Sequence, residues 1–154
     1  VSIPLQVLQA IKSSVESIPG AGGVEFYRAR KPDLEQVIAP YFEIRPLEEK
    51  SVEKYLAGSA TQTVWEMRVG VCGGDTQNPG EIASPEWVIQ RTTDLRDSIL
   101  AAVLEDPELG GLASELEEES VSWLPEAFQS FDASVAVIFN VQYNHRSDDP
   151  DQQG

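Results

Sequence analysis

Ser134-Val-Ala-Val-Ile-Phe-Asn-Val-Gln-Tyr143 is the stretch whose reading decides the fold. Val135, Val137, Phe139, Val141 and Tyr143 fall on one side of a period-two ribbon and make an unbroken apolar face. The other side carries Ala136 and Ile138, then Asn140, Gln142 and Asn144, so it is dry in its first half and wet in its second. A strand in a sheet covered by helices on one face only has this pattern.

Working outward, the covering helix precedes this strand. Ser84-Pro85-Glu86 supplies a capping hydroxyl, a proline at the first helical position and an acid against the positive end of the helix dipole. Val88, Leu95, Ile99, Ala102 and Val103 then share one stripe until Pro107 forbids continuation. Such a helix is roughly 30 Å long, close to the length of a nine- or ten-residue strand at roughly 3.4 Å per residue.

Upstream, Leu5, Leu8, Ile11 or Lys12, Val15 and Ile18 recur at helical spacing between Pro4 and Pro19-Gly20. Gly20-Ala-Gly-Gly23 lacks the lysine and hydroxyl residue of a phosphate-binding loop and reads as a flexible connection. Residues 24–30 alternate like an edge strand, with Arg28 and Arg30 suited to discourage edge pairing. A second strand, residues 41–45, is bracketed by Pro40 and Pro46, and a third over residues 61–72 alternates regularly. Between them, residues 47–59 read as a long polar insertion carrying Glu48, Glu49, Lys50, Glu53 and Lys54 with Tyr55 and Leu56.

Residues 73–80 read as a turn-rich link. Asp75, Asn78 and Glu81 do not fit an EF-hand spacing and imply a solvated turn. The acidic run 115–119 reads as a solvated edge leading into a fourth strand candidate at 120–124. The order predicts an α+β fold: a mostly antiparallel sheet of four to five strands with two helices packed on one face, in the order α-β-β-β-α-β-β. The domain is expected to span residues 1–143, with 144–154 a flexible acidic tail lacking apolar anchors. Trp65, Met67, Val69, Leu95, Ile99, Val137, Phe139 and Val141 form the expected core between sheet and long helix.

Composition narrows the function. Twenty-six acids against eleven bases leave a net charge of −15, which repels a phosphate backbone and argues against direct nucleic-acid binding. The acidity is explained either by solubility or by a surface that must not adhere to DNA. There is no apolar run of the roughly 20 residues needed to span a bilayer and no secretory-signal pattern at the start, so a cytosolic location is the expectation. The single cysteine, Cys72, rules out an internal disulfide and a thiolate zinc cluster. The single histidine, His145, falls in the expected loose tail, so neither a metal pair nor a supported Ser-His-acid triad is expected, and no catalytic, cofactor-binding or metal residue is assigned. Acid pairs are too numerous to single out.

The order and spacing of these segments resemble the tail-terminator proteins of long-tailed bacteriophages. The likeness runs over nearly the whole chain: the opening helix, the strand at 24–30, Ala-Pro-Tyr-Phe-Glu-Ile-Arg (39 to 45), the acidic segment, Thr-x-Thr-Val-Trp-Glu-Met-Arg-Val-x-Val (61 to 71), the helix with Leu95, Arg96 and Leu100, and Val-Ala-Val-Ile-Phe-Asn-Val-Gln-Tyr (135 to 143). The polar tail after Tyr143 and a start at Val1 depart from the family. The resemblance implies a structural virion protein at the tail–neck junction, assembled in the host cytoplasm as a homo-oligomeric ring, hexameric in that family. It would cap the tail-tube protein, meet the head–tail connector and let genomic DNA pass without specific binding; no catalytic residues or cofactor are implied. A head–tail connector or tail-completion adaptor is the nearest alternative, and a small hydrolase or ligand-binding domain is one from another class.

On this reading Tyr55 and Leu56 are apolar anchors at a subunit interface, with Glu48 and Glu49 among the charges that orient it. Glu43, Arg45, Glu66, Arg68, Asn140 and Gln142 collect on the sheet's polar side and are the expected lumen-facing set. If Arg45 and Arg68 pair with Glu43 and Glu66, the lumen acids come instead from Glu48 and Glu49 or from Glu117, Glu118 and Glu119.

Overall fold

A computed structural model describes residues 1–27, 40–78, 80–128 and 130–152. The elements are α1 (Ile3–Glu16), β1 (Gly23–Phe26), β2 (Tyr41–Ala57), β3 (Ala60–Asp75), α2 (Pro85–Leu104), β4 (Glu115–Trp123) and β5 (Ala133–Arg146). The order is the expected α-β-β-β-α-β-β. The five strands lie in the order β1-β2-β3-β5-β4, antiparallel throughout except for β1, which runs parallel to β2 and makes the sheet mixed.

Both helices cover one face, here called the helix face. α2 begins as the sequence requires: Ser84 Oγ accepts a hydrogen bond from the Trp87 amide at 3.3 Å, with Pro85 in the first turn. Its buried stripe is Thr92, Leu95, Ile99 and Val103, and Val88 is only half-buried. α1 buries Ile3, Val7, Ile11 and Val15, with Ile18 just beyond its end. The expected stripe is therefore shifted around the helix, and Leu5 is exposed, because α1 must meet β1, β2 and α2 at once.

The residues of β5 that decided the fold behave as read. Val135, Val137, Phe139, Val141 and Tyr143 are all buried on the helix face, opposite Gly73, Val71, Val69, Met67 and Trp65 of β3. Of the expected core only Trp65 remains half-buried, packed at its margin. β3 runs on through Gly73 and Gly74, which the sequence assigned to a link, because their missing side chains admit aromatic rings. A Cβ on Gly74 would lie 2.5 Å from Phe131 Cδ2, and one on Gly73 would lie 3.0 Å from Phe42 Cε1.

Three readings are corrected. Residues 47–59 are not a loop: 47–57 complete β2, which pairs with β3 down to Ala57 opposite Ala60, with Gly58 at positive φ in the turn. Pro46 is tolerated inside this strand because Ile44 directs its carbonyl outward to the Tyr27 amide at 2.9 Å, so the nitrogen of Pro46, two residues on, also faces outward, beyond the end of β1. The fourth strand, expected at 120–124, begins earlier: the acidic run 115–119, a mostly exposed edge as read, is itself the first half of β4, an outer strand. Residues 144–146 belong to β5, and the chain beyond returns: the Ser147 amide donates to Thr61 O at 2.8 Å and the Ile3 amide to Pro150 O at 2.9 Å. His145 is thus buried and stacked on Trp65, ring centroids 5.8 Å apart, instead of lying in a loose tail. Arg28 and Arg30 of the expected edge strand lie outside the described residues.

Candidate assembly surfaces

The face opposite the helices divides into two parts. At the end where β2 begins, residues 125–128 and 130–132 lie over the sheet, and Phe128 and Phe131 stack with Tyr41 above Cys72 and Ala136 in a second small core. Glu43, expected on a lumen surface, lies under this cover at 1% exposure. Its carboxylate accepts from Arg45 Nε at 2.6 Å and from Tyr41 Oη at 3.0 Å, and the Arg45 guanidinium is held between the rings of Tyr27 (5.1 Å) and Phe128 (5.3 Å). A buried carboxylate needs such a set of partners. Glu43 and Arg45 are therefore parts of the fold and not a channel lining, because the β4–β5 connection, placed by tertiary contacts, covers them.

Burial, then the carboxylates of Glu43 and Glu25, raises the Tyr41 phenol far above its ordinary range. Burial likewise pushes the Cys72 thiol up to about 11, against a lowering by Arg45.

The rest of this face is open. Glu66, Arg68, Asn140 and Gln142 share it as expected and are half-buried, side by side across β3 and β5. Arg68 does not pair with Glu66. Its Nε donates to Glu119 of β4 at 2.9 Å, its Nη1 lies 3.7 Å from Glu48, and the Glu119 carboxylate holds the guanidinium above its usual range. Glu66 instead accepts a close hydrogen bond from Asn140 Nδ2. Glu48 and Glu117 flank the group, so the open surface is polar with acids in excess.

The second surface is the outer edge of β2 beyond β1. Tyr55 is 38% and Leu56 75% exposed, and Val52, which the sequence did not single out, is also exposed. These side chains are held on a regular strand. Tyr55 Oη accepts from Asn144 Nδ2 at 3.0 Å on the open face, whereas Leu56 projects to the helix face opposite Thr61. Glu48 and Glu49, expected to act together, point to opposite faces, because consecutive residues of a strand must. Glu49 stands on the helix face near the buried Tyr143, whose phenol is raised by burial first and by the Glu49 carboxylate second. Val52 was missed because it sits at the bulge between Ser51 and Glu53, which breaks the alternation.

A third surface is the outer edge of β4, whose Glu117, Glu118 and Glu119 the sequence offered as alternative lumen acids; Glu117 lies on the open face, whereas Glu118 lies on the helix face opposite Phe139. This edge presents Glu115, Glu117, Glu118 and Glu119 and ends in exposed Trp123 and Leu124, the latter at positive φ (50°). Among the described residues no group of three His, Cys, Asp or Glu side chains is placed to hold a metal ion, and no helix is long and apolar enough to cross a membrane. Asp75 is used locally, accepting from the Thr76 amide at 2.8 Å and from Arg91 at 2.7 Å. No protein-family model matches this chain, and no curated protein matches it.

Proposed function

We propose that the protein is a structural subunit of a phage tail: a tail terminator that assembles into a ring, caps the tail tube and joins the tail to the head–neck. The observation that carries this reading is the outer edge of β2, where Val52, Tyr55 and Leu56 are exposed on a paired strand. A rigid, partly apolar edge is suited to a partner and costs little ordering on contact. The open sheet face, with helices confined to the other side, supports the same reading, since Glu66, Arg68, Asn140 and Gln142 give it a wet surface suited to a channel wall. The resemblance of element order to the terminator family supplies the ring and its partners by analogy.

Light scattering coupled to gel filtration, with electron micrographs of the same fractions, tests it. A discrete species of several subunits with an annular image is expected. A strict monomer across about 1 to 100 μM, a range that corresponds to association free energies of roughly −8 to −5 kcal/mol, would remove it.

A further inference from the structure

Three strands of this sheet have a side without a partner strand among the described residues: β1, which is only four residues long, the part of β2 beyond it, and β4. Beyond the last bond to Tyr27, residues 48–57 of β2 pair only with β3, and β4 pairs only with β5. Such rows of N–H and C=O groups are templates for another strand, and proteins that must stay monomeric blunt them. The β4 edge is blunted against itself. A second β4 would set Glu115, Glu117, Glu118 and Glu119 against their own copies. The β2 edge differs, because Lys50 and Lys54 stand on it and make no ion pair among the described residues.

We propose that the outer edge of β4 pairs antiparallel with residues 48–57 of β2 in a second copy of this chain, Glu118 opposite Lys54 and Leu116 opposite Leu56. The inference deepens the ring reading above by naming the joint.

Three features select this register. The first is direction: β2 and β5 run one way and β3 and β4 the other, so continuing the sheet into a like-oriented copy makes β4 antiparallel to the next β2. The second is the match of irregularities. β2 carries a bulge between Ser51 and Glu53, and β4 carries one between Glu118 and Ser120. Setting Glu118 against Lys54 brings the two bulges opposite one another, so alternation agrees on both sides of them. The third is the chemistry that results. Glu118 and Lys54 lie on the helix face, opposite Phe139 and Thr63 of their own neighbours, as do Leu116 and Leu56, while Ser122 meets Lys50 on the open face. Glu119 comes near Glu53 at the bulges, and Arg68 already neutralises Glu119.

The pairing requires the next copy to slide along the strands, because β1 occupies the first part of β2. In its own sheet β4 is level with residues 42–50 of β2, as the chains Trp123–Val135–Gly73–Phe42 and Glu115–Gln142–Glu66–Lys50 show. The free edge lies about six residues further on, roughly 20 Å at ~3.4 Å each, against roughly 19 Å for the width of four strands. That stagger corresponds to a tilt of about 45°, the upper end of what closed cyclic sheets use. Because one copy contributes β4 and the next β2, the contact is head to tail, which builds a ring where it closes and a filament where it does not.

The test is a cysteine pair. Directly opposed residues bring Cβ atoms about 4.5 to 5.5 Å apart, within reach of a disulfide after small adjustment. The full chain with Lys54→Cys and Glu118→Cys, oxidised at assembling concentration, is expected to give a ladder of covalent oligomers, and each single variant no ladder beyond a dimer. In parallel, Glu118→Lys or Lys54→Glu alone should raise the concentration needed for half-assembly about tenfold, and the double swap should restore it. Annular particles without a ladder and without rescue by the swap would overturn this joint while leaving the ring reading intact. A ladder with filaments and no rings would keep the joint and overturn the ring. A wild-type chain that stays monomeric overturns both.

Discussion

Two arginines that look equivalent in the sequence have different work. Arg45 neutralises a carboxylate buried under Phe128, and removing it strands that charge. Arg45→Leu should therefore lower unfolding free energy by about 3 to 5 kcal/mol, measured by urea denaturation. Arg68, on the open face, meets Glu119 and Glu48 in solvent, so Arg68→Leu should leave the denaturation midpoint close to wild type. Phe139 packs in the centre of the helix face, and Phe139→Ala should cost roughly 3 to 5 kcal/mol in the same assay. Burial also sets an alkaline limit. The Cys72 thiol ionises near 9.0 when unfolded and only at about 11 when folded, so the folded state binds this proton more tightly. The stability that follows is complete below pH 9 and is lost as pH rises toward 11. Wild type should lose stability over that interval by more than Cys72→Ala does, the comparison removing the tyrosines, whose raised phenols add their own loss above pH 10.

At the scale of elements, the β2–β3 hairpin is where sequence and structure part most. Alternation reveals a strand only when one face is buried, and residues 48–57 are exposed on both. The strand there is imposed by β3, whose own pattern is legible because Met67, Val69 and Val71 face the helices. The apolar pair Tyr55 and Leu56 was visible as an anchor, although Leu56 turns to one face and Tyr55 to the other. Replacing both by serine removes exposed surface that no core residue needs. Assembly should weaken severalfold in sedimentation, with the thermal midpoint of the monomer nearly unchanged; unaltered assembly would dispose of the anchor role.

For the whole molecule, charge is the governing quantity. In the proposed ring, six copies at −15 each would carry on the order of −90 before counterions, so net repulsion would oppose closure while the proposed Glu118–Lys54 contacts would favour it. Screening acts on both, but the long-range excess is lost first as the Debye length falls from about 30 Å at 0.01 M to about 8 Å at 0.15 M salt. Half-assembly should accordingly move to lower protein concentration over that range, checked by light scattering at fixed pH. Covering Glu43 and Arg45 leaves Glu48, Glu53, Glu66, Glu115, Glu117 and Glu119 against Lys50, Arg68 and Arg146 on the open face, an excess of acid that in the proposed ring would keep a DNA backbone from adhering.

Periodicity by itself determined β5, β3, α2 and the helix-covered face, because Phe139, Val69 and Leu95 each belong to an element with one side buried and one side wet. Short-range chemistry determined the start of α2 at Ser84-Pro85 in the same way. Only the tertiary structure decided what depends on distant chain. Glu43 became a core residue because Phe128 and Phe131 lie over it, His145 because the chain returns to Thr61 and Ile3, and residues 48–57 a strand because β3 offers them a ladder. The parallel pairing of β1 belongs to the same class: four residues with no complete buried face say nothing of direction, and the hydrogen bonds to β2 supply it.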